Sequence, residues 1–425
     1  MSDAWMRLDL EAEKDILIGL HCRFSDDKAL SRIKIKSENN GKWLTKSHAK
    51  KLVKSYLKAG HGKCSTPEFR LFRKRGTKTF RMSLRIEIED HTKRLWTFYL
   101  DCSSQSVLFR YASAFGARGF VFDPNPMVSL NDSSLVPGTT IPLGAYLEKE
   151  LRNLGNSGFL DGSYVTTRGT RNRIRRGSGD FRVSDGSQAF GEVMAYYHVD
   201  RLQSYIQSLG FRRANPGQVK VVVNGISGIN SEYRPNTNTI LLGTGGAPDY
   251  QDAEIITHEY AHAIHSAINP AFGRDSVSIN LAEGFADYIA LSQSHGMKTS
   301  RFQKLFASWD ASAHSGNPTS RGIRYWRRLN RNSHFSDFLT SYGRFRTRGR
   351  NNDLVSFWAD VLWEIREKFG PIRADSLALG HCFVINSRFS FFDAANAIVE
   401  YNRIKFGNHD RAKLMNIFRR RGIFS

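Results

Sequence analysis

The chain has 425 residues, of which 40% are apolar, 12% aromatic and 24% charged. That is too long for one compact core and too apolar for wholesale disorder. Lys and Arg number 62 against 40 acidic residues, a net charge of +22, which excludes an acidic, anion-repelling surface.

The basic residues are spread along the chain, densest at Arg73-Lys74-Arg75, Arg171–Arg176, Arg327-Arg328 and Arg419–Arg421. They read either as a solvated surface or as a site for a polyanion or anionic surface. No helix-turn-helix, zinc-finger or RNA-binding signature accompanies them. Cys22, Cys64, Cys102 and Cys382 stand too far apart for metal-ligand spacing and are too few for a disulfide scaffold, which leaves free thiols or one or two bridges. The opening MSDAWMRLDLEAEKD lacks the basic and apolar regions of an export signal, and no stretch approaches the roughly 20 apolar residues of a transmembrane helix.

Residues 1–115 read as a separate α+β module. Lys46–Ala59 is helical in pattern, and Phe80–Glu89 (FRMSLRIEIE) alternates apolar and polar like a half-buried strand. Leu95–Leu100 is its expected hairpin partner, with the turn at Asp90, His91 and Thr92. Residues 116–185 are rich in Gly, Ser, Asn and Asp and predict short strands and loops, Arg171–Gly179 exposed among them. Ser187–Leu209 predicts an amphipathic helix ended by Gly210. Val219–Asn224 and Asn238–Gly243 predict strands, the second followed by a glycine-rich loop. From Asp252 onward the pattern is helical almost to the end, clearest at Leu354–Phe369, Phe391–Lys405 and Arg411–Arg420. Strands followed by helices predict an α+β catalytic unit, with an upper lobe over 186–270 and a helical lower lobe over 271–425.

The chemistry centres on His258-Glu259-Tyr260-Ala261-His262, in a helix expected from Asp252 to about Ile268. Histidines four apart lie on one helix face, so both imidazoles can reach one metal ion. Glu259 can then stand beside a water held by that metal. The bland alternative is a helix that happens to carry exposed histidines, and His265 on a similar face reads as packing or surface rather than as a third ligand. Glu283 follows 21 residues after His262, in the helical run LAEGFADY. A second helix crossing the first can present Glu283 as third ligand, completing a His2Glu site with one open position. Asp287, one turn on, can accept from the other nitrogen of a ligand histidine; the alternative for both acids is a solvated helix face.

HEYAHAIH followed by AEGFADY resembles the gluzincin metallopeptidases, the thermolysin-like class, and most closely the fungalysin family. Asn238–His262, Gly322-Ile323-Arg324, the FWADVLW of Phe357–Trp363, Phe391–Val399 and Ile417–Gly422 resemble further segments of that family, so the likeness spans roughly residues 115–423. The N-terminal module, with WTFYLDCSSQSVL, is similar to a PepSY-like inhibitory propeptide.

The resemblance implies a thermolysin-like zincin with one catalytic Zn2+ on His258, His262 and Glu283, and Glu259 as general base. It implies an extended protein or peptide substrate added to an edge strand at Asn236–Leu242, and secretion. It also implies a histidine about six residues before the tryptophan of the FWADVLW helix. Asn352 stands there instead, and an asparagine can donate a hydrogen bond but cannot carry charge. His334 is an alternative donor, and Arg324 a candidate for the substrate carbonyl or oxyanion. Three readings follow: an active zinc endopeptidase, a degenerate or highly restricted relative, and a basic polyanion-binding protein on this fold. If residues 1–115 are a propeptide, cleavage between about 116 and 185 would raise activity.

Overall fold

The computed structural model describes residues 6–10, 18–22, 46–56, 65, 68–72, 81–89, 95–102, 104–113, 117–155, 157–177, 179–214, 216–275, 277–314, 317–320, 322–329, 332–338, 351–385 and 390–425. The turn expected at Asp90–Thr92, residues 57–59 of the first expected helix, Cys64 and the basic run Arg73–Arg75 lie outside them. The chain is mixed α+β and divides into two compact units, Met1–Ala117 with Arg152–Asn156, and Arg118–Leu151 with Ser157–Ser425.

The first unit holds the antiparallel pair β1 (Met6–Leu10) and β2 (Ile18–Cys22) and helix α1 (Lys46–Tyr56). It also holds an antiparallel sheet in the order β3 (Glu68–Phe72), β4 (Arg81–Glu89), β5 (Leu95–Asp101), β6 (Val107–Ser113). The alternation in β4 sends Leu84, Ile86 and Ile88 to one face, where Ala49 and Val53 of α1 and Phe98 and Leu100 of β5 close a core. Cys102, in the same core, is a free thiol, and so is buried Cys382 of the second unit.

The second unit begins with a three-stranded sheet: β7 (Arg118–Val121) lies between β8 (Leu147–Glu150) and β10 (Asp180–Phe181). Helix α2 (Gln188–Ser208) follows. Ser187 caps it, its Oγ accepting from the Phe190 N–H, and Gly210 at φ +92° ends it. It was expected to be amphipathic, yet it is buried on almost every side. Two of its buried polar residues, Glu192 and Gln203, are held by hydrogen bonds to neighbouring elements. Glu192 accepts from Thr167 Oγ1 at 2.6 Å and from the Ile174 N–H at 2.9 Å, and Gln203 accepts from Tyr260 Oη at 2.9 Å.

A four-stranded sheet has the order β12 (Glu232–Arg234), β13 (Thr239–Gly243), β11 (Val219–Ile226), β9 (Val165–Thr166). The segment expected to be an edge strand, Asn236–Leu242, is therefore not one. β13 is paired on both sides, parallel to β11 and antiparallel to β12, and all five of its residues are buried. The sheet's edge on that side is the three-residue strand β12.

Helices then dominate: α3 (Ala253–Ile268), α4 (Ser278–Ser294), α5 (Asn352–Phe369), α6 (Pro371–Val384), α7 (Phe391–Phe406) and α8 (Arg411–Arg420). α4 packs against both α3 and α5. The helical expectation fails between α4 and α5, where two short antiparallel pairs form. One joins β14 (Leu305–Phe306) to β17 (Arg327–Arg328); the other joins β15 (Asn317–Pro318) to β16 (Arg324–Tyr325). Among the described residues no helix is long and apolar enough to cross a membrane.

Candidate metal centre

Asp252 opens α3: its Oδ1 accepts from the Glu254 N–H at 3.1 Å, and Asn125 Nδ2 holds its other oxygen at 3.2 Å. Glu254, in the first turn, is buried against Lys298 Nζ at 2.5 Å and accepts from the Ala307 N–H at 2.8 Å. These contacts fix the start of the helix and bring the β14 segment beside it.

One turn on, His258 and His262 project from the same face of α3, and α4 presents Glu283 to them. His258 Nε2 lies 3.1 Å from His262 Nε2 and 3.5 Å from Glu283 Oε2, and His262 Nε2 lies 3.5 Å from Glu283 Oε1. Donor atoms on a tetrahedral zinc ion, each about 2.05 Å from the metal, stand about 3.4 Å apart. The three side chains can therefore hold such an ion with little rearrangement. Two imidazoles and a carboxylate are also the donor set of sites that keep a coordination position open.

The surroundings hold this arrangement. Asp287 is wholly buried, with its Oδ1 3.0 Å from His258 Nδ1. Arg327 approaches the same carboxylate with two donors, Nη2 at 2.6 Å from Oδ1 and Nε on Oδ2. Its guanidinium lies 4.6 Å over the ring of Phe306, which stands opposite it in the β14–β17 pair and 5.4 Å from the His258 ring. Burial alone would push the Asp287 carboxyl up, but Arg327 and His258 outweigh it and hold the group below the ordinary range. Burial would lower His258, but the carboxylates of Asp287 and Glu283 lift it to about 9. Burial would also lower Arg327, but Asp287, with Glu283 and Glu259 beyond it, keeps it charged. Glu259 is buried beside the first histidine on α3.

His262 turns its second nitrogen to another histidine: Nδ1 lies 2.9 Å from His265 Nε2. His265 is buried between the rings of Phe272 and Phe285, and that burial drives it well below the usual imidazole range.

The structure thus brings together His258, Glu259, His262, Glu283 and Asp287. It takes the other candidates elsewhere or leaves them at the surface. Arg324 is exposed on β16, and the arginine at the cluster is Arg327, three residues on. Asn352 is the exposed first residue of α5; its buried neighbour Asn351 caps that helix and donates its N–H to Asn280 Oδ1 of α4 at 2.7 Å. His334 is exposed, 2.7 Å from Ser336 Oγ, with its ring against Gly422 near the C-terminus. Sequence reasoning missed Arg327 and the pairing of His265 with His262. The i, i+3 spacing of the two histidines on one helix was the available signal for the second.

No protein-family model matches the chain, and no curated protein matches it.

Proposed function

We propose that the protein is a zinc-dependent endopeptidase of the thermolysin-like kind, nearest to the fungalysins in its motifs. The observation that carries the reading is the His258–His262–Glu283 triangle, 3.1 to 3.5 Å on its sides, with Asp287 behind His258. Zinc held by His258, His262 and Glu283 would supply Lewis acidity to a peptide carbonyl. Glu259, adjacent to the first ligand, takes the proton of the water that attacks the peptide carbonyl and delivers it to the leaving amine. Asp287 orients His258, and Arg327 orients Asp287. The charge of Arg327 also favours the negative oxygen that develops during attack, the role for which the sequence offers Arg324, Asn352 or His334. An extended substrate pairs with the outer edge of β12, at Glu232–Arg234.

Zinc content and casein cleavage of the wild type and of Glu259→Gln test this. One zinc per chain in both proteins is expected, with cleavage reduced by at least about 100-fold in the variant. Zinc without cleavage in the wild type would move the reading to a degenerate or highly restricted relative, motivated by Asn352. Wild-type protein that holds no zinc would end it. The excess of 22 positive charges favours a second reading, a polyanion-binding protein on this fold.

A further inference from the structure

We propose that His265 is a positioning residue of the metal centre: a buried histidine that accepts the Nδ1 proton of His262 and thereby turns the Nε2 lone pair of His262 toward the metal. The inference rests on the zinc reading and extends it to a residue outside the HExxH pattern.

The argument is one of proton placement. A neutral imidazole carries one proton, and the nitrogen that binds a metal must be the bare one. His262 Nε2 is the atom facing His258 Nε2 at 3.1 Å and Glu283 Oε1 at 3.5 Å, so on metal binding its proton must sit on Nδ1. That proton points at His265 Nε2, 2.9 Å away. In the opposite arrangement His265 donates, His262 is protonated on Nε2, and the face of the triangle is blocked. Metal binding therefore selects His265 as acceptor.

Packing leaves the His265 ring little freedom to do otherwise. Phe272 and Phe285 meet it edge to face at 5.2 and 6.3 Å. A Cβ placed on Gly273 would touch its Cε1 at 3.4 Å. Its own Nδ1 is buried and meets no hydrogen-bond partner among the described residues, so the contact with His262 dictates its tautomer. The two ligand histidines are thus oriented differently, His258 by a carboxylate and His262 by an imidazole. The imidazole fixes the ring without adding negative charge to a centre that already holds Glu259, Glu283 and Asp287.

The test measures zinc affinity by chelator competition in the full chain, for the wild type, His265→Leu and His265→Gln. Leucine fills the space but accepts nothing. Glutamine can place an oxygen near the original Nε2 position. Loss of an outer partner of a ligand histidine typically weakens metal binding by about 10- to 100-fold, which is expected for His265→Leu, with His265→Gln within about threefold of wild type. Equal affinity of His265→Leu and wild type, or equal loss in both variants, overturns the proposal. Should His265→Leu fail to fold by circular dichroism, nitrogen NMR of zinc-loaded wild type decides. His262 must be protonated on Nδ1 and His265 bare on Nε2, and any other placement refutes the assignment. Wild type that binds no zinc removes the peptidase reading and this one together. Wild type that binds zinc while His265→Leu binds it equally well removes this one alone.

Discussion

His258 lies between two carboxylates, Asp287 at 3.0 Å and Glu283 at 3.5 Å, and they decide its proton. In the metal-free protein its pKa is lifted to about 9, so the imidazolium stabilises the fold. That contribution is complete below the unfolded value of about 6.5 and is lost as pH rises through about 9. Zinc runs the other way, because it must displace the proton. At pH 7 zinc binding should release about one proton, and apparent affinity should fall about tenfold for each unit of further acidification. Calorimetry in two buffers of different ionisation enthalpy measures the release, and a value near zero would mean that His258 is not the protonated ligand. Asp287 serves two cations at once, so its loss is expected to act twice. Asp287→Asn removes the orienting charge behind His258, weakening zinc about 10- to 100-fold. It also leaves Arg327 buried beside a neutral amide, at a cost of about 3–5 kcal/mol. Chelator competition and thermal unfolding of the zinc-free protein read the two effects separately. Wild-type values in both would sink the assigned role.

At the scale of elements, the centre depends on how closely α4 can approach α5. Gly284 directly follows Glu283, the proposed third ligand, and a Cβ there would meet the Val355 carbonyl oxygen at 2.7 Å and Trp358 Cβ at 2.9 Å. The first obstacle is backbone, which cannot swing aside as a side chain can. Gly284→Ala should therefore push α4 away from α5, cost about 1–3 kcal/mol, and displace Glu283 enough to weaken zinc binding. A variant with unchanged melting temperature and zinc affinity would show that the helices give way freely. The helices α3 and α4 were legible in the sequence because each carries a 3.6-residue period, and candidate ligands four apart on such a period have a known direction. Arg327 was not legible. It reaches Asp287 through β14 and β17, strands of two residues each, and two residues carry no period at all. Its neighbour in sequence, Arg324, has the same chemistry but lies exposed on β16, so side-chain type alone could not separate them. β13 misled for a related reason: a short buried apolar strand reads the same at an edge as inside a sheet, and only β12, three residues long, makes the difference.

At the scale of the whole molecule, the charge needs an account that the metal centre does not give. Even if every one of the 40 acidic residues were paired, 22 of the 62 Lys and Arg side chains would have no carboxylate of their own. The buried pairs Arg327–Asp287, Lys298–Glu254 and Arg366–Asp375 each match one cation with one carboxylate and leave that excess untouched. A surface field of this kind attracts any anion without recognising one, and salt screens it over about 10 Å at 0.1 M. Affinity for heparin or duplex DNA is therefore expected to fall about 10³- to 10⁵-fold between 50 and 200 mM salt, and to be the same in Glu259→Gln as in wild type. If the proposed peptidase activity is present and the field reaches the His258–His262–Glu283 cluster, acidic peptides should be cut with a kcat/KM that declines as salt rises, while neutral peptides show no such decline. Parallel salt series on an acidic and a neutral peptide decide this. Identical profiles would confine the charge to solubility, and polyanion binding that survives about 0.5 M salt would demand a built site rather than a diffuse field.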